Sequence, residues 1–100
     1  MQPAVSIIVL NYNGREDTMA CLRSLEHLTY SRVNTIMVDN ASTDGTAEAV
    51  RLAYPNVKVL ETGANLGFTG GNNVAIKYAL ENGADYVLLL NNDTIVAPDF

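Results

Sequence analysis

Four short polar clusters, each following a hydrophobic run, carry the residues that could do chemistry: Asn11-Tyr12-Asn13, Asp39-Asn40, Glu61-Thr62-Gly63 and Asn91-Asn92-Asp93. A carboxylate in the position of Asp39 can accept hydrogen bonds from ribose hydroxyls or a base N–H. The same residue, with Asn40, Ser42 and Asp44 behind it, also fits a local turn and a helix cap. We read Asp39 as facing a ligand, and Ser42 and Asp44 as turn and cap residues. Asp93 ends a run of three leucines. A lone carboxylate there suits a hard divalent cation that keeps several waters and takes its other ligands from phosphates. A plain turn aspartate is the competing reading. The stretch Asn65-Leu66-Gly67-Phe68-Thr69-Gly70-Gly71-Asn72-Asn73 is the densest glycine cluster in the chain. Its glycines allow close backbone approach to a ligand at a helix start, and they equally suit a flexible turn, with Phe68 plugging the core beneath.

The elements that must position these clusters alternate along the chain. Val5 to Leu10 is a β-branched run suited to a strand covered on both faces. Arg15 to Leu28 places Met19, Leu22 and Leu25 at helical spacing, with Cys21 and Leu28 alongside, Asn13 as cap, and Glu16 and Asp17 in the first turn. Thr35 to Val38 is a second strand, and a helix capped by Ser42 or Asp44 runs to about Tyr54, before Pro55. Val57 to Leu60 is a third strand. A helix from about Asn72 to Asn82 follows, with Ile76 and Leu80 one turn apart and Gly83 just past its end. Tyr86 to Leu90 is the fourth strand. The order β-α-β-α-β-α-β predicts a three-layer α/β/α domain with a mainly parallel sheet. In such sheets ligands sit at the carboxyl ends of the strands, which is where the four clusters fall.

Composition narrows the partners. The 100 residues suit one small domain, and 48% of them are hydrophobic, enough for a single core. Six basic against eleven acidic residues give a net charge of −5, which argues against nucleic acid or an anionic membrane as the main partner. Cys21 is the sole cysteine and reads as a packing residue. Val5 to Leu10 is too short for a signal-peptide core or a membrane span, so the expected location is cytoplasmic, with membrane association of a longer protein left open. The sequons at Asn40 and Asn92 are then coincidental.

Taken in register, Val5 to Asn13, Val38 to Thr46 and Leu90 to Asp93 resemble family 2 glycosyltransferases, and the Asn65-to-Asn73 stretch resembles the rhamnosyltransferase-like branch. The resemblance implies a Rossmann-like GT-A fold with strand order 3-2-1-4. It also implies a nucleoside diphosphate-sugar donor, dTDP- or UDP-linked with rhamnose favoured, and inversion at the anomeric carbon. On this reading residues 1–100 form the donor-binding part. The acceptor-binding part and the catalytic base would lie beyond Phe100, so the fragment would bind donor without transferring sugar. By the same resemblance Asp39 contacts the base or ribose, with Asn40 beside it. Asn11, Tyr12 and Asn13 line the nucleoside pocket. Asn65, Gly67, Gly70 and Gly71 close over the nucleotide, and Asn91 and Asn92 lead into Asp93. Asp93 corresponds to the last carboxylate of the family's DxD motif, which meets a Mn²⁺ or Mg²⁺ ion bridging the diphosphate. Asn91 stands where the motif's first aspartate would be, so metal contact rests on one carboxylate. The acceptor would be a glycan or a lipid-linked saccharide. Strand four would be an exposed apolar edge through which the chain self-associates.

Other readings of an alternating α/β chain fit less well. A dinucleotide oxidoreductase needs its glycine fingerprint after the first strand, where only Asn13-Gly14-Arg15 occurs. A P-loop would need Gly-Lys-[Ser/Thr], which is absent. A phosphoacceptor signalling module would want acidic residues where Asn11 stands. A nucleotidyltransferase would want a basic glycine-rich loop after strand one. The last is the nearest enzymatic rival.

Overall fold

Val5–Asn11 forms strand β1, and its alternation explains the layering of the whole molecule. The computed structural model describes residues 2–100, with β1 followed by α1 (Arg15–Leu25), β2 (Val33–Asp39), α2 (Thr46–Ala53), β3 (Lys58–Glu61), α3 (Gly67–Glu81) and β4 (Tyr86–Leu90). Successive side chains of a strand point to opposite faces. Ile7 and Val9 therefore enter one core with Cys21, Leu22 and Leu25 of α1, Met37 of β2 and Val50 of α2. Ile8 enters the other, with Ile36 and Val38 of β2 and Ala75 and Ala79 of α3. Helices α1 and α2 thus cover one face and α3 the other. Each fully buried aliphatic side chain contributes roughly 1.5–3 kcal/mol against exposure.

All strand pairs are parallel, in the order β3-β2-β1-β4, as expected from the sequence. The register sets Asn11 opposite Asp39 and Asp39 opposite Glu61, so three strand-end polar residues share one row. Among the described residues no strand pairs with the outer side of β4, and Tyr86 and Leu89 are exposed there. No helix among them is long and apolar enough to cross a membrane.

Several expected boundaries shift. Helix α1 ends at Leu25 rather than Leu28, although Leu28 still packs on the core. Strand β2 starts at Val33 rather than Thr35, and β3 spans Lys58–Glu61 rather than Val57 to Leu60. The largest correction is to α3, which starts at Gly67, so most of the glycine stretch is helix and not loop. Asn65 Oδ1 accepts the Gly67 N–H at 3.0 Å, and Asn40 Nδ2 donates to the Gly67 carbonyl at 3.0 Å. These bonds offset the roughly 1 kcal/mol that each interior glycine costs a helix. The buried face of α3 is Gly71, Asn72, Ala75 and Ala79, whereas Leu80 is exposed. Small residues face the sheet because the helix lies close to it: a Cβ on Gly71 would fall 2.6 Å from Leu10 Cδ1 and 2.9 Å from Asn40 Nδ2. Gly83 follows α3 with φ of +90°, as its position predicted.

Helix starts also differ from expectation. Gly14 is the cap residue of α1, and Asn13 does not cap it. Asn13, at φ +50°, instead accepts the Thr43 N–H at 2.8 Å. The cap residue of α2 is Gly45, at φ +78°, so Ser42 does not cap it and Asp44 acts from the position before the cap. Asp44 serves both helices: its Oδ2 accepts the Arg15 N–H at 3.1 Å, and its Oδ1 accepts the N–H of Thr46 at 3.1 Å and the Thr46 hydroxyl. The hydroxyl of Thr46, with these backbone donors, holds the Asp44 carboxyl below its usual range. A depressed carboxyl pKa adds stability above the unfolded value of about 3.9, lost as pH falls through the lower folded value. Asp44→Ala is expected to lower stability at pH 7 by about 1–2 kcal/mol. In urea melts the difference from the native chain should shrink as pH falls below the unfolded carboxyl value of about 3.9.

Candidate functional site

The carboxyl ends of β1 and β4 and the first turn of α3 enclose a cleft of about 320 Å³ lined by Leu10, Tyr12, Phe68, Leu90, Asn91, Asn92 and Asp93. Leu10 and Leu90 are apolar lining. Tyr12 and Phe68 contribute exposed rings, 53% and 60% accessible, and the Asn91–Asp93 turn supplies the polar wall. Phe68 does not plug the core, as the flexible-turn alternative had it; it opens onto the cleft as an exposed apolar ring. None of the six Lys and Arg residues lines the cleft. A polyanion bound against these residues would meet no lysine or arginine among them.

Behind the cleft lies a closed hydrogen-bond network. Asn11 is fully buried, and its Nδ2 donates to Asp39 Oδ1 at 2.8 Å and to Ser42 Oγ at 3.0 Å. Its Oδ1 accepts the Gly14 N–H at 3.2 Å and the Thr18 hydroxyl at 2.7 Å. Ser42 Oγ donates to Asp39 Oδ1 at 2.7 Å and accepts the Asn13 N–H at 2.9 Å. Asp39 Oδ2 accepts the Ser42 N–H at 3.0 Å, closing the turn that holds Ala41 at φ +65°. A non-glycine residue in that region costs about 1 kcal/mol or more, so the bonds from Asp39 must hold it there.

Tyr12, Asn91, Asn92 and Asp93 are therefore gathered at the cleft, as the sequence suggested. Asn11 and Asp39 do not line it. Both are buried, at 0% and 3% exposure, because β1 and β2 are interior strands whose last side chains satisfy one another. Asn40 is also buried; it accepts the Thr62 hydroxyl at 3.1 Å and anchors the start of α3. Asn13 bonds to the β2–α2 connection, and Asn65, Gly67, Gly70 and Gly71 build the entry to α3. Glu61 is paired with Arg51 at 2.8 Å, an exposed ion pair worth little. Thr18 and Phe68 went unnoticed as site residues. The helical spacing of Thr18 is a core signal, and nothing in sequence shows that it faces Asn11.

Asp93 is exposed, with no side-chain hydrogen bond or ion pair among the described residues. Burial pushes the Cys21 thiol up to about 11, and the nearby Asp93 carboxylate adds to it, so Cys21 stays a neutral packing residue. No group of three or more His, Cys, Asp or Glu converges among the described residues. The donor set fits a Mg²⁺- or Mn²⁺-type ion held by one carboxylate and completed by water and phosphate oxygens, and it does not fit an all-protein metal cage.

A doubly covered parallel sheet with its cleft at the carboxyl strand ends defines an α/β domain of the nucleotide-binding type. The chain belongs to glycosyl transferase family 2, whose model matches residues 6–100. It is 38% identical over 68 residues to an N-acetylglucosaminyl-diphospho-decaprenol L-rhamnosyltransferase of Mycobacterium tuberculosis, covering 68% of this chain and 22% of that protein. It is 32% identical over 94 residues to the low-salt glycan biosynthesis hexosyltransferase Agl10 of Haloferax volcanii, covering 89% and 27%. Among solved structures, the Pyrobaculum calidifontis mannosyltransferase PcManGT, in complex with GDP-Man and Mn²⁺, superposes with a TM-score of 0.83 at 27% identity, over 93% of this chain and 28% of that one. S. aureus TarS 1–349 with UDP-GlcNAc superposes with a TM-score of 0.82 at 29% identity, over 95% and 28%. The fold is the Rossmann-like GT-A type that the sequence resemblance implied. The chain spans about a quarter of the length of these relatives.

Proposed function

We propose that the cleft is the donor site of an inverting sugar transfer and binds a nucleoside diphosphate-sugar with a divalent cation. One observation carries this reading: exposed aromatic rings and an unpartnered Asp93 carboxylate share one cleft that holds no basic residue. Tyr12 and Phe68 flank the base. Asp39 uses three of its roughly four acceptor positions internally and supports the turn behind the cleft. Asp93, with Asn91 beside it, holds the ion, which when bound would offset charge on the diphosphate leaving group. No second carboxylate lines the cleft, so a base that deprotonates an acceptor is not assigned to these residues. We propose that it lies in the remainder of a longer enzyme, together with the glycan or lipid-linked acceptor site. The mycobacterial relative's rhamnosyl name supports a deoxysugar, for which we propose dTDP as the carrier, and the UDP-GlcNAc complex of TarS makes UDP-sugars the next candidates.

Calorimetric titration of UDP, dTDP and GDP with Mn²⁺ or with EDTA tests the reading. Binding that requires Mn²⁺ is expected. A folded chain that binds none of the three would refute it.

We also propose that the free edge of β4 pairs with a second copy of the chain. An uncharged strand with unpaired N–H and C=O groups is a template for further pairing. Sedimentation velocity should show mass-average growth with concentration, and a species that stays monomeric at millimolar concentration would count against the pairing.

A further inference from the structure

The reading of Asp93 as metal carboxylate leaves open what holds its turn in place, and the inference drawn here rests on that reading. The turn carries two kinds of side chain. The Asp93 side chain has no hydrogen-bond partner among the described residues, while Asn92 Nδ2 donates to Thr18 Oγ1 at 3.1 Å. The Asn92 amide also sits against the bare Cα of Gly14, where an added Cβ would fall 2.6 Å from Nδ2. Thr18 is fully buried, on the first turns of α1.

The direction of these bonds is fixed by chemistry. An amide nitrogen only donates, so Thr18 Oγ1 must accept from Asn92 and give its own proton to Asn11 Oδ1, 2.7 Å away. Asn11 in turn presents its NH₂ to the Asp39 carboxylate and to Ser42 Oγ. The chain of donors Asn92, Thr18, Asn11 therefore runs one way and ends on a charge. Charge-assisted bonds are stronger than neutral ones, and linked bonds polarise one another. Reversing any member would set donor against donor or acceptor against acceptor.

We propose that Thr18 is a positioning residue for the metal-binding turn, latching the Asn92 amide to the Asp39-rooted network so that Asp93 is held at the cleft. Asn92 is then a peg pointing inward, and its sequence neighbour Asp93 meets the ion. Thr18 contacts neither ion nor nucleotide and acts only through Asn92.

The test measures the Mn²⁺ concentration giving half-maximal UDP binding, with dTDP and GDP in parallel, for the native chain, Thr18→Val and Thr18→Ser. Valine keeps the shape and removes the hydroxyl; serine restores the hydroxyl. Groups that orient metal ligands typically contribute about 10–100-fold in metal affinity, so Thr18→Val is expected to raise the half-maximal Mn²⁺ concentration about tenfold. Metal-free nucleotide affinity should move by less, and Thr18→Ser should respond as the native chain does. Gly14→Ala, which presses on the Asn92 amide from the other side, should reproduce the Thr18→Val shift, and it decides the matter if the valine variant fails to fold. A lowered melting temperature with unchanged Mn²⁺ response in both variants would overturn the latch and leave the donor-site reading standing. A native chain that binds no nucleotide with Mn²⁺ would overturn both.

Discussion

Asp93→Ala should abolish the metal-dependent part of nucleoside diphosphate binding while leaving the fold intact. A net charge of −5 and a cleft without lysine or arginine leave a diphosphate no counter-charge except an ion. Asp93 is the only carboxylate among the cleft-lining residues. Removing it should weaken UDP or dTDP binding in Mn²⁺ about 100-fold, or roughly 2.7 kcal/mol, towards the EDTA value. Because no other side chain among the described residues bonds to this exposed carboxylate, urea melts of the variant should match the native chain within about 0.5 kcal/mol. Calorimetry on the pair reads the first quantity. Undiminished Mn²⁺ dependence in the variant would place the ion elsewhere.

The largest effect on stability is expected at Asn11, which the sequence resemblance places in the nucleoside pocket and which is a fully buried hub in the structure. Asn11→Ala would remove four hydrogen bonds and leave the Thr18 hydroxyl, the Gly14 N–H and one Asp39 oxygen short of a partner. Each buried polar group left unpaired costs about 1–3 kcal/mol, so a loss of about 3 kcal/mol is reasonable after partial relaxation. That is a large share of the ~5–15 kcal/mol typical of a domain. Equilibrium urea unfolding measures it, and a loss under about 1 kcal/mol would mean that water replaces the amide freely. Asn11→Asp sharpens the test. It would set a second carboxylate where the amide now lies 2.8 Å from Asp39 Oδ1. Like charges that close raise the folded-state pKa of the pair above its unfolded value. The variant should therefore be least stable at neutral pH and regain stability as acid protonates one of the two.

The two substitutions separate what a binding edge contains. Asp93 can be removed without harm to the fold because it faces outward, and Asn11 cannot because it faces its neighbours. Both were legible as strand-end polar residues, since a hydrophobic run that stops at Asn or Asp marks the end of a strand whatever the tertiary contacts. The strand order was also anticipated, through the family resemblance, and Gly83 was placed correctly because a left-handed residue past a helix end is a local requirement. The start of α3 was missed for the opposite reason. Glycines disfavour helix locally, and the bond from Asn40 that helps overcome this comes from the residue just past β2, 27 residues away in sequence.

By itself the sequence determined the alternation of elements, the parallel three-layer design and the set of polar residues at one end of the sheet. These depend on side-chain periodicity and turn chemistry, which act over a few residues. Only the tertiary structure decided which of those residues face the cleft and which support it. That choice depends on strand register and on how closely α1 and α3 approach the sheet. Register sets Asn11 against Asp39, and the bare Cα atoms of Gly14 and Gly71 let the amides of Asn92 and Asn40 pack where side chains would otherwise stand. Residues of one chemical type, a few positions apart, thus divide into ligand-facing and buried, because what each can bond to is set by neighbours distant in sequence.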